Sequence, residues 1–367
     1  MKSDIIMTLD VGALHHNLLT VRKLAPQSRI MAVVKADAYG HGLLYLWPYL
    51  ARDVDGMAVA RVSEAVELRQ FGYQGTLLVL SGFDDAEDVR ALDEYQLQTV
   101  IHAPYQVNLL TKTSVKQALT VWLKIETGMH RLGLVDVEVD KAYRRLKAAP
   151  QVEHIILMTH FASSEWKSNE VTAKQIQLFE KHIASYSEPC SLSNSGGILA
   201  WPSAHRQWVR PGFMMYGGSP FYPAEKVPLL KPVMRLTAPV KAIHDLQAGD
   251  AVGYNGVFVA KEAMRIAVVG GGYGDGYPRA LPNGTPVCLN AKIVKTVGRV
   301  SMDSVMVDIS DHEQVVVGDR ALLWGPELPV ETIAEYANTD PRELLCRMGM
   351  HRVRRKIIGE KDGANNR

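Results

Sequence analysis

The chain has 367 residues, 47% of them hydrophobic and 22% charged, with three cysteines and a formal net charge of +2 from 41 basic and 39 acidic side chains. That balance excludes a disordered, collagen-like or coiled-coil chain, and the near-zero charge gives no reason to expect nucleic acid or an anionic membrane as a partner. Cys190, Cys288 and Cys346 are too far apart for a disulfide framework or a CxxC metal knuckle, no apolar run approaches the ~20 residues of a membrane span, and the first ten residues carry no signal-peptide pattern, so the expectation is a cytoplasmic protein of about two or three domains with no metal site.

A first strand is expected at Asp4–Leu9. Short apolar runs then mark strands at Ile30–Val34, Met57–Ala60, Thr76–Leu80, Thr99–Ile101, Leu119–Ile125, Ile155–Thr159, Cys190–Ser193 and Phe213–Tyr216. Amphipathic stretches separate them: Val139, Ala142, Tyr143 and Leu146 recur at helical spacing, as do Ile176, Phe179, Ile183 and Tyr186. Continuous apolar runs suit parallel strands buried on both faces. About eight such units fit a (β/α)8 TIM barrel, an α/β fold, better than a doubly wound sheet, and no GxGxxG follows the first strand.

Pro228 and Pro232 punctuate a linker, and the pattern then changes. Strands are expected at Leu236–His244, Met264–Val269, Pro286–Leu289, Ile293–Val297, Val305–Ile309 and Ala321–Trp324, with turns at Gly249-Asp250 and Asn283-Gly284. Only Glu331–Ala337 and Arg342–Cys346 read as helical. The expected division is a barrel over 1–232, a β-rich domain over 233–358 that the strand at 4–9 joins, and a polar, disordered tail over 359–367.

A barrel of this type carries its active site at the carboxyl ends of its strands. Lys35 follows the first barrel run, Arg131 the fifth, His160 the sixth and Ser193-Asn194-Ser195-Gly196-Gly197 the seventh, while Arg210 precedes the eighth and Tyr216 ends it. A lysine leaving a buried strand is partly desolvated, which favours its neutral, nucleophilic amine. Taken alone, the same lysine also fits a side chain that snorkels to water.

Lys35-Ala36-Asp37-Ala38-Tyr39-Gly40-His41-Gly42 resembles the pyridoxal phosphate lysine motif of the alanine racemase family. The resemblance continues through Lys124–Gly133, Thr159-His160-Phe161-Ala162, Asn194-Ser195-Gly196-Gly197 and Val209-Arg210-Pro211-Gly212. It extends into Gly253-Tyr254, Gly272-Tyr273-Gly274-Asp275-Gly276-Tyr277 and Gly298-Arg299-Val300-Ser301-Met302-Asp303, all in the family's order. It covers roughly residues 5 to 350 and implies an enzyme that interconverts L- and D-alanine, either for peptidoglycan or in alanine catabolism.

The resemblance also implies roles for individual residues. By it, Lys35 carries pyridoxal 5'-phosphate and is the base on one face of the substrate. The cofactor meets Tyr39, Arg131, His160, Ser195, Gly196, Arg210, Gly212, Phe213 and Tyr216. The glycines of the seventh turn allow close backbone approach to an anion, and Arg210, always protonated, keeps the pyridine nitrogen unprotonated, which suits racemisation better than decarboxylation. By the same likeness, Tyr254 is the second base, supplied across a homodimer, and Arg131, Tyr273, Met302 and Asp303 contact the substrate. Lys124 occupies a position that is often carbamylated in the family. Ile357 stands where the family closes its entrance with a tyrosine, which leaves open a broader-specificity or serine racemase. A non-catalytic pyridoxal phosphate carrier resembles the barrel alone.

Overall fold

The structure, a computed structural model, describes residues 5–221, 227–348 and 352–359. Strand β1 (Ile6–Asp10) leads into the helix Val11–Leu24, whose first turn is capped by Asp10 accepting the Ala13 N–H at 3.0 Å. Eight short strands follow: β2 (Arg29–Val33), β3 (Gly56–Val59), β4 (Thr76–Val79), β5 (Gln98–Ile101), β6 (Leu119–Lys124), β7 (Val152–Met158), β8 (Cys190–Ser191) and β9 (Trp208–Val209). They pair in parallel in the order β8-β7-β6-β5-β4-β3-β2-β9. The two-residue end strands share no ladder, and side-chain and loop bonds bridge them instead. Ser191 Oγ donates to the Trp208 carbonyl and the Arg210 N–H to the Ser193 carbonyl, each at 2.9 Å. The result is a nearly closed eight-stranded barrel.

Met31, Val33, Ala58, Leu78, Val100, Trp122, Ile156, Met158 and Trp208 fill the barrel interior as one cluster. Their neighbours in sequence, such as Ile30, Ala32, Met57, Val59, Leu77 and Val79, pack outward into the main core. Burial on both faces is the reason these strands read as unbroken apolar runs.

Two expectations are corrected by the fold. Phe213–Tyr216 is a 3-10 turn between Gly212 and Gly217, not the eighth strand, which is β9. Arg210 therefore follows the eighth strand instead of preceding it. Four apolar residues in a row suit a buried turn as well as a strand, and the flanking glycines decide in favour of the turn. The helix Glu170–Ile183 also stops before Tyr186.

The second region comprises β10 (Met234–Leu246), β11 (Ala251–Val252), β12 (Phe258–Val259), β13 (Met264–Val269), β14 (Pro286–Leu289), β15 (Lys292–Val297), β16 (Val305–Asp308), β17 (Arg320–Trp324) and β18 (Arg354–Ile358), with helices Val330–Ala337 and Pro341–Arg347. β10, β17, β14, β15, β16 and β13 pair in that order, and β13 pairs back to β10 past an irregularity between Val240 and Ala242. β1 lies antiparallel to β10 and parallel to β18, so the first strand of the chain belongs to the sheet of its last region. β11 and β12 form a small ribbon with Tyr254 in the turn between them. Asp4, Met350-His351 and the tail from residue 360 lie outside the described residues.

The helix Pro341–Arg347 presses its backbone onto the turn that follows β2. Gly40 has φ +75°, and a Cβ there would stand 1.9 Å from the Leu345 carbonyl oxygen. Because the obstacle is backbone, no side chain can swing aside. Gly40→Ala is expected to lower stability by more than about 2 kcal/mol, read as a lower urea midpoint at an unchanged m value.

Candidate active site

Lys35 opens the turn after β2, and the four residues behind it adopt a conformation their types do not favour. Ala36, Asp37, Ala38 and Tyr39 have φ of 54°, 55°, 53° and 53°, a left-handed stretch that costs about 1–2 kcal/mol per non-glycine residue. Hydrogen bonds hold it from both ends. The Ala36 N–H donates to Glu64 Oε1 at 2.8 Å, the Leu43 N–H to Asp37 Oδ1 at 2.7 Å, and the Gly40 N–H to the Ala36 carbonyl at 2.9 Å. The same turn places both Lys35 and Tyr39 in the wall of one cavity.

That cavity, of about 340 Å³, opens at the carboxyl ends of the barrel strands and is large enough for a small cofactor with a small substrate. Lys35, Tyr39, Lys124, Arg131 and His160 line it, as do Ser195, Gly196, Arg210, Gly212 and Phe213. Five of its side chains are cations, counting Arg342, against one acid, Glu165, so an anionic occupant is favoured.

The cavity has a donor-rich end. The Gly212 and Met214 N–H groups both donate to Ser195 Oγ, at 3.1 and 3.2 Å. Gly212 is needed for that approach, since a Cβ on it would meet the Tyr39 hydroxyl at 2.7 Å. Arg210 is 3% exposed and spends Nη1 on the Ser191 carbonyl (2.9 Å) and Ser191 Oγ (2.5 Å), and Nη2 on the Thr159 (2.6 Å) and Leu192 (3.2 Å) carbonyls. Its Nε makes no hydrogen bond among the described residues. Burial pulls the guanidinium down to about 10, which still leaves it charged at neutral pH.

Burial, then the Arg131 charge, lowers the Lys35 amine. Burial, then Arg131 and Arg210, brings Lys124 down to about 8. His160 is pushed well below its ordinary range by burial and by the Arg210, Lys124 and Arg131 charges, so its imidazole is neutral at pH 7. Glu126 is not an ion-pair partner for Lys124. It accepts the Gly128 and Met129 N–H groups, the latter at 2.7 Å, and shapes the loop that returns at the Ile125–Leu134 bridge and carries Arg131 over the cavity.

Other expected site residues lie elsewhere. Tyr216 is buried behind the wall, its hydroxyl donating to the Val33 carbonyl at 3.3 Å and its ring stacked on His41. Tyr254 is 68% exposed and shares an open depression on the β-rich region with Met302 and Asp303. Tyr273 is exposed but does not line that depression, and its N–H donates to the Ser301 carbonyl at 3.0 Å. Ile357 is half-buried in β18, paired with Leu9, and does not line the cavity, so the entrance argument attached to it has no support from its position.

Sequence reasoning missed several residues that build the site. Arg342, Glu165 and Ser164 are in the wall. Gln175 pins two rim loops, accepting the Ala162 N–H at 2.8 Å and donating to Thr127 Oγ1 at 3.0 Å. Its helix buries Thr172, Gln175 and Phe179, so the inward face carries two polar residues and offered no sequence signal for it.

An amine lowered by burial, a turn rich in N–H and hydroxyl donors and a buried arginine with a spare donor, all at the mouth of a (β/α)8 barrel, have the chemistry of an enzyme site for a phosphorylated carbonyl cofactor. Residues 9–220 match the model of the alanine racemase N-terminal domain, and residues 233–357 that of the C-terminal domain. The alanine racemase of Pseudomonas taetrolens is 41% identical over 353 residues, spanning 96% of this chain and 98% of that relative, and the catabolic alanine racemase of Pseudomonas putida matches equally. Among solved structures, the biosynthetic alanine racemase of Pseudomonas aeruginosa superposes with a TM-score of 0.93 at 36% identity, covering 97% of this chain and 99% of that one. The alanine racemase of Bartonella henselae, solved with covalently bound pyridoxal phosphate, gives 0.87 at 30% identity over 97% and 99%. The chain belongs to the alanine racemase family.

The lowered Lys124 carries a pH signature. Unfolded, the amine binds its proton below 10.5, and folded only below about 8, so folding is penalised fully below pH 8 and the penalty fades as pH rises to 10.5. In carbon dioxide-free buffer, Lys124→Met is expected to be more stable than the parent at pH 7, with the difference shrinking across that window. Chemical unfolding at pH 7 and pH 10 measures it.

Proposed function

We propose that this chain interconverts L- and D-alanine using pyridoxal phosphate held at Lys35. The observation that carries the reading is the Lys35 amine, lowered by burial and set between the donor-rich end at Ser195 and Gly212 and the spare Nε of Arg210. The residues present fit that cofactor. Lys35 would hold its carbonyl carbon, and Tyr39, Ser195, Gly196, Gly212 and Phe213 surround the space for its phosphate. Arg210 would face its ring nitrogen. When bound, pyridoxal phosphate supplies the electron sink that lets the Cα–H bond of an amino acid ionise.

This chain's residues then govern the proton. Arg210, permanently charged, discourages protonation of an acceptor placed before its Nε, and so weakens the sink enough that return of the proton is favoured over loss of the carboxylate. Lys35, once released, takes or returns the Cα proton on its own face. His160 stays neutral and adds no charge. Arg131, which makes no ion pair among the described residues, is placed to receive the substrate carboxylate. Roughly a tenth of Lys124 is neutral at pH 7 given its value of about 8. Its nitrogen can bond to carbon dioxide and release a proton to solvent, and the resulting anion would orient Arg131.

A racemase needs a second acid–base group on the opposite face. The one tyrosine in the cavity wall among the described residues is Tyr39, pushed up to about 12 by burial and lodged against Gly212. Tyr254 is exposed on a different surface with Met302 and Asp303. The reading is a homodimer in which each Tyr254 completes the other copy's cavity and this face lines the substrate entrance. The three cysteines, none bonded to another and two of them buried, suit the reducing cytoplasm.

Incubating the protein in D2O with L- or D-alanine is expected to exchange Cα hydrogen for deuterium from either enantiomer. Lys35→Ala abolishes that exchange and the absorbance of bound cofactor, and a cofactor band surviving in Lys35→Ala would sink the lysine assignment. Alanine is expected to exceed serine in kcat/KM, the ratio that measures this preference. Mixing Lys35→Ala with Tyr254→Ala, each inactive alone, restores roughly a quarter of parent activity if sites are shared across a twofold dimer; no recovery on mixing counts against the shared site.

A further inference from the structure

The cavity is lined by five cations, and four of them belong to one group. Arg131, Arg210 and Lys35 all act on Lys124, and the four together act on His160. The fifth, Arg342, comes from the helix Pro341–Arg347, outside the barrel, yet lies in the barrel's cavity wall. Its guanidinium carbon is 5.5 Å from the centroid of the Phe213 ring. Phe213 sits between Gly212 and Met214, the two residues whose N–H groups converge on Ser195 Oγ. Arg342 is also the first charge that opposes the rise of the Tyr39 hydroxyl. It therefore serves the donor-rich end of the cavity, where Tyr39 and Ser195 supply hydroxyls, Gly212 and Met214 supply backbone amides, and the one carboxylate in the wall, Glu165, also acts on Arg342.

The side chain is held in place before any ligand arrives. Asp340 accepts Arg342 Nε at 2.7 Å and Nη2 at 2.6 Å, and it caps the same helix by accepting the Arg342 N–H at 2.7 Å. Phe213 covers one face of the guanidinium. Nη1 makes no hydrogen bond among the described residues. An arginine fixed in this way loses little side-chain entropy when its last donor meets an anion. The seating of the helix on Gly40 fixes its height over the Lys35 turn.

Resting on the cofactor reading proposed for Lys35, we propose that Arg342 binds the phosphate group of pyridoxal phosphate through Nη1, so that the β-rich region clamps a cofactor whose carbonyl end is held by the barrel. The phosphate carries up to two negative charges, and neutral donors alone would leave them uncompensated in a half-buried site. Cofactor retention then depends on how this helix is seated as well as on Lys35.

The test is a comparison of two ligands that differ only in the phosphate. Holoenzyme is stripped of cofactor with hydroxylamine, and the parent, Arg342→Gln and Arg342→Lys are titrated with pyridoxal phosphate and separately with pyridoxal, with the absorbance of the lysine adduct as the readout. Arg342→Gln is expected to weaken pyridoxal phosphate by at least about tenfold while pyridoxal changes by less than about twofold. Arg342→Lys recovers much of the loss, and the dependence of pyridoxal phosphate affinity on salt is shallower in Arg342→Gln than in the parent. Unchanged pyridoxal binding is the control for folding, and Arg342→Met, read in the same two titrations, carries the test if the glutamine variant fails to fold. Equal weakening of both ligands, or unchanged pyridoxal phosphate affinity with a raised KM for alanine, overturns the assignment. A parent protein that takes up no pyridoxal phosphate overturns the underlying reading instead.

Discussion

The site depends on one constrained piece of backbone, the left-handed stretch from Ala36 to Tyr39. Four consecutive non-glycine residues at φ near +54° represent several kcal/mol of local strain. The strain is tolerated because the surroundings over-determine it. Glu64 takes the Ala36 amide, Asp37 takes the Leu43 amide, and the helix Pro341–Arg347 closes on Gly40 with no room for a methyl group. Residues four apart share one face of a helical turn of either hand, so Lys35 and Tyr39 lie side by side, and here that face lines the cavity. The turn sets a nucleophile and a phenol in the same wall within five residues, and places Tyr39 against Gly212, which follows the neighbouring strand β9.

Charge is the second organising element. The chain as a whole is nearly neutral, yet its cavity gathers five cations against one acid. Such a cluster destabilises the empty protein, since each charge lowers the proton affinity of the next, and the effect is visible in Lys35, Lys124 and His160 together. Burial is the larger cause of the lowered amines and repulsion the second; an anionic occupant relieves the repulsion, which favours binding of a phosphate and a carboxylate. Arg210 escapes this logic because three carbonyls and the Ser191 hydroxyl satisfy it inside the barrel. It is part of the frame, with one donor left over.

Much of the barrel was legible because parallel strands buried on both faces write themselves as continuous apolar runs, as in Met31–Val34 and Ile155–Met158. The same rule misread Phe213–Tyr216, where four apolar residues are buried by a turn, and overlooked β9, which is two residues long. The rim residues Lys35, Arg131 and His160 could be found by asking which polar side chain follows each run, whereas Arg210 was placed before its run because β9 went unrecognised. The left-handed turn could not, because Ala, Asp, Ala and Tyr carry no common left-handed preference. Arg342 and Gln175 were invisible for a different reason. Their helices were recognised by apolar spacing, and nothing in a periodicity says that one polar residue on such a helix reaches a cavity built by distant strands. Ile357 shows the converse, a position singled out by pattern that β18 turns into the core.

The two regions are tied together at the chain's ends, and that tie bears on the chemistry. β1 is hydrogen-bonded between β10 and β18, so the strand that begins the polypeptide is part of the second region before the barrel starts. Its partner β18 carries Arg355, whose Nη2 lies 3.4 Å from Asp37 Oδ2 in the left-handed turn. Helix Pro341–Arg347, close before β18, covers Gly40 in the same turn. Both ends of the turn are thus braced from outside the barrel. A free barrel would keep its strands, its interior cluster and Arg210, but would lose the contacts that hold four strained residues in place. In this architecture the second region is a structural condition for the geometry of Lys35 in its own chain, independently of anything its exposed Tyr254 does for another.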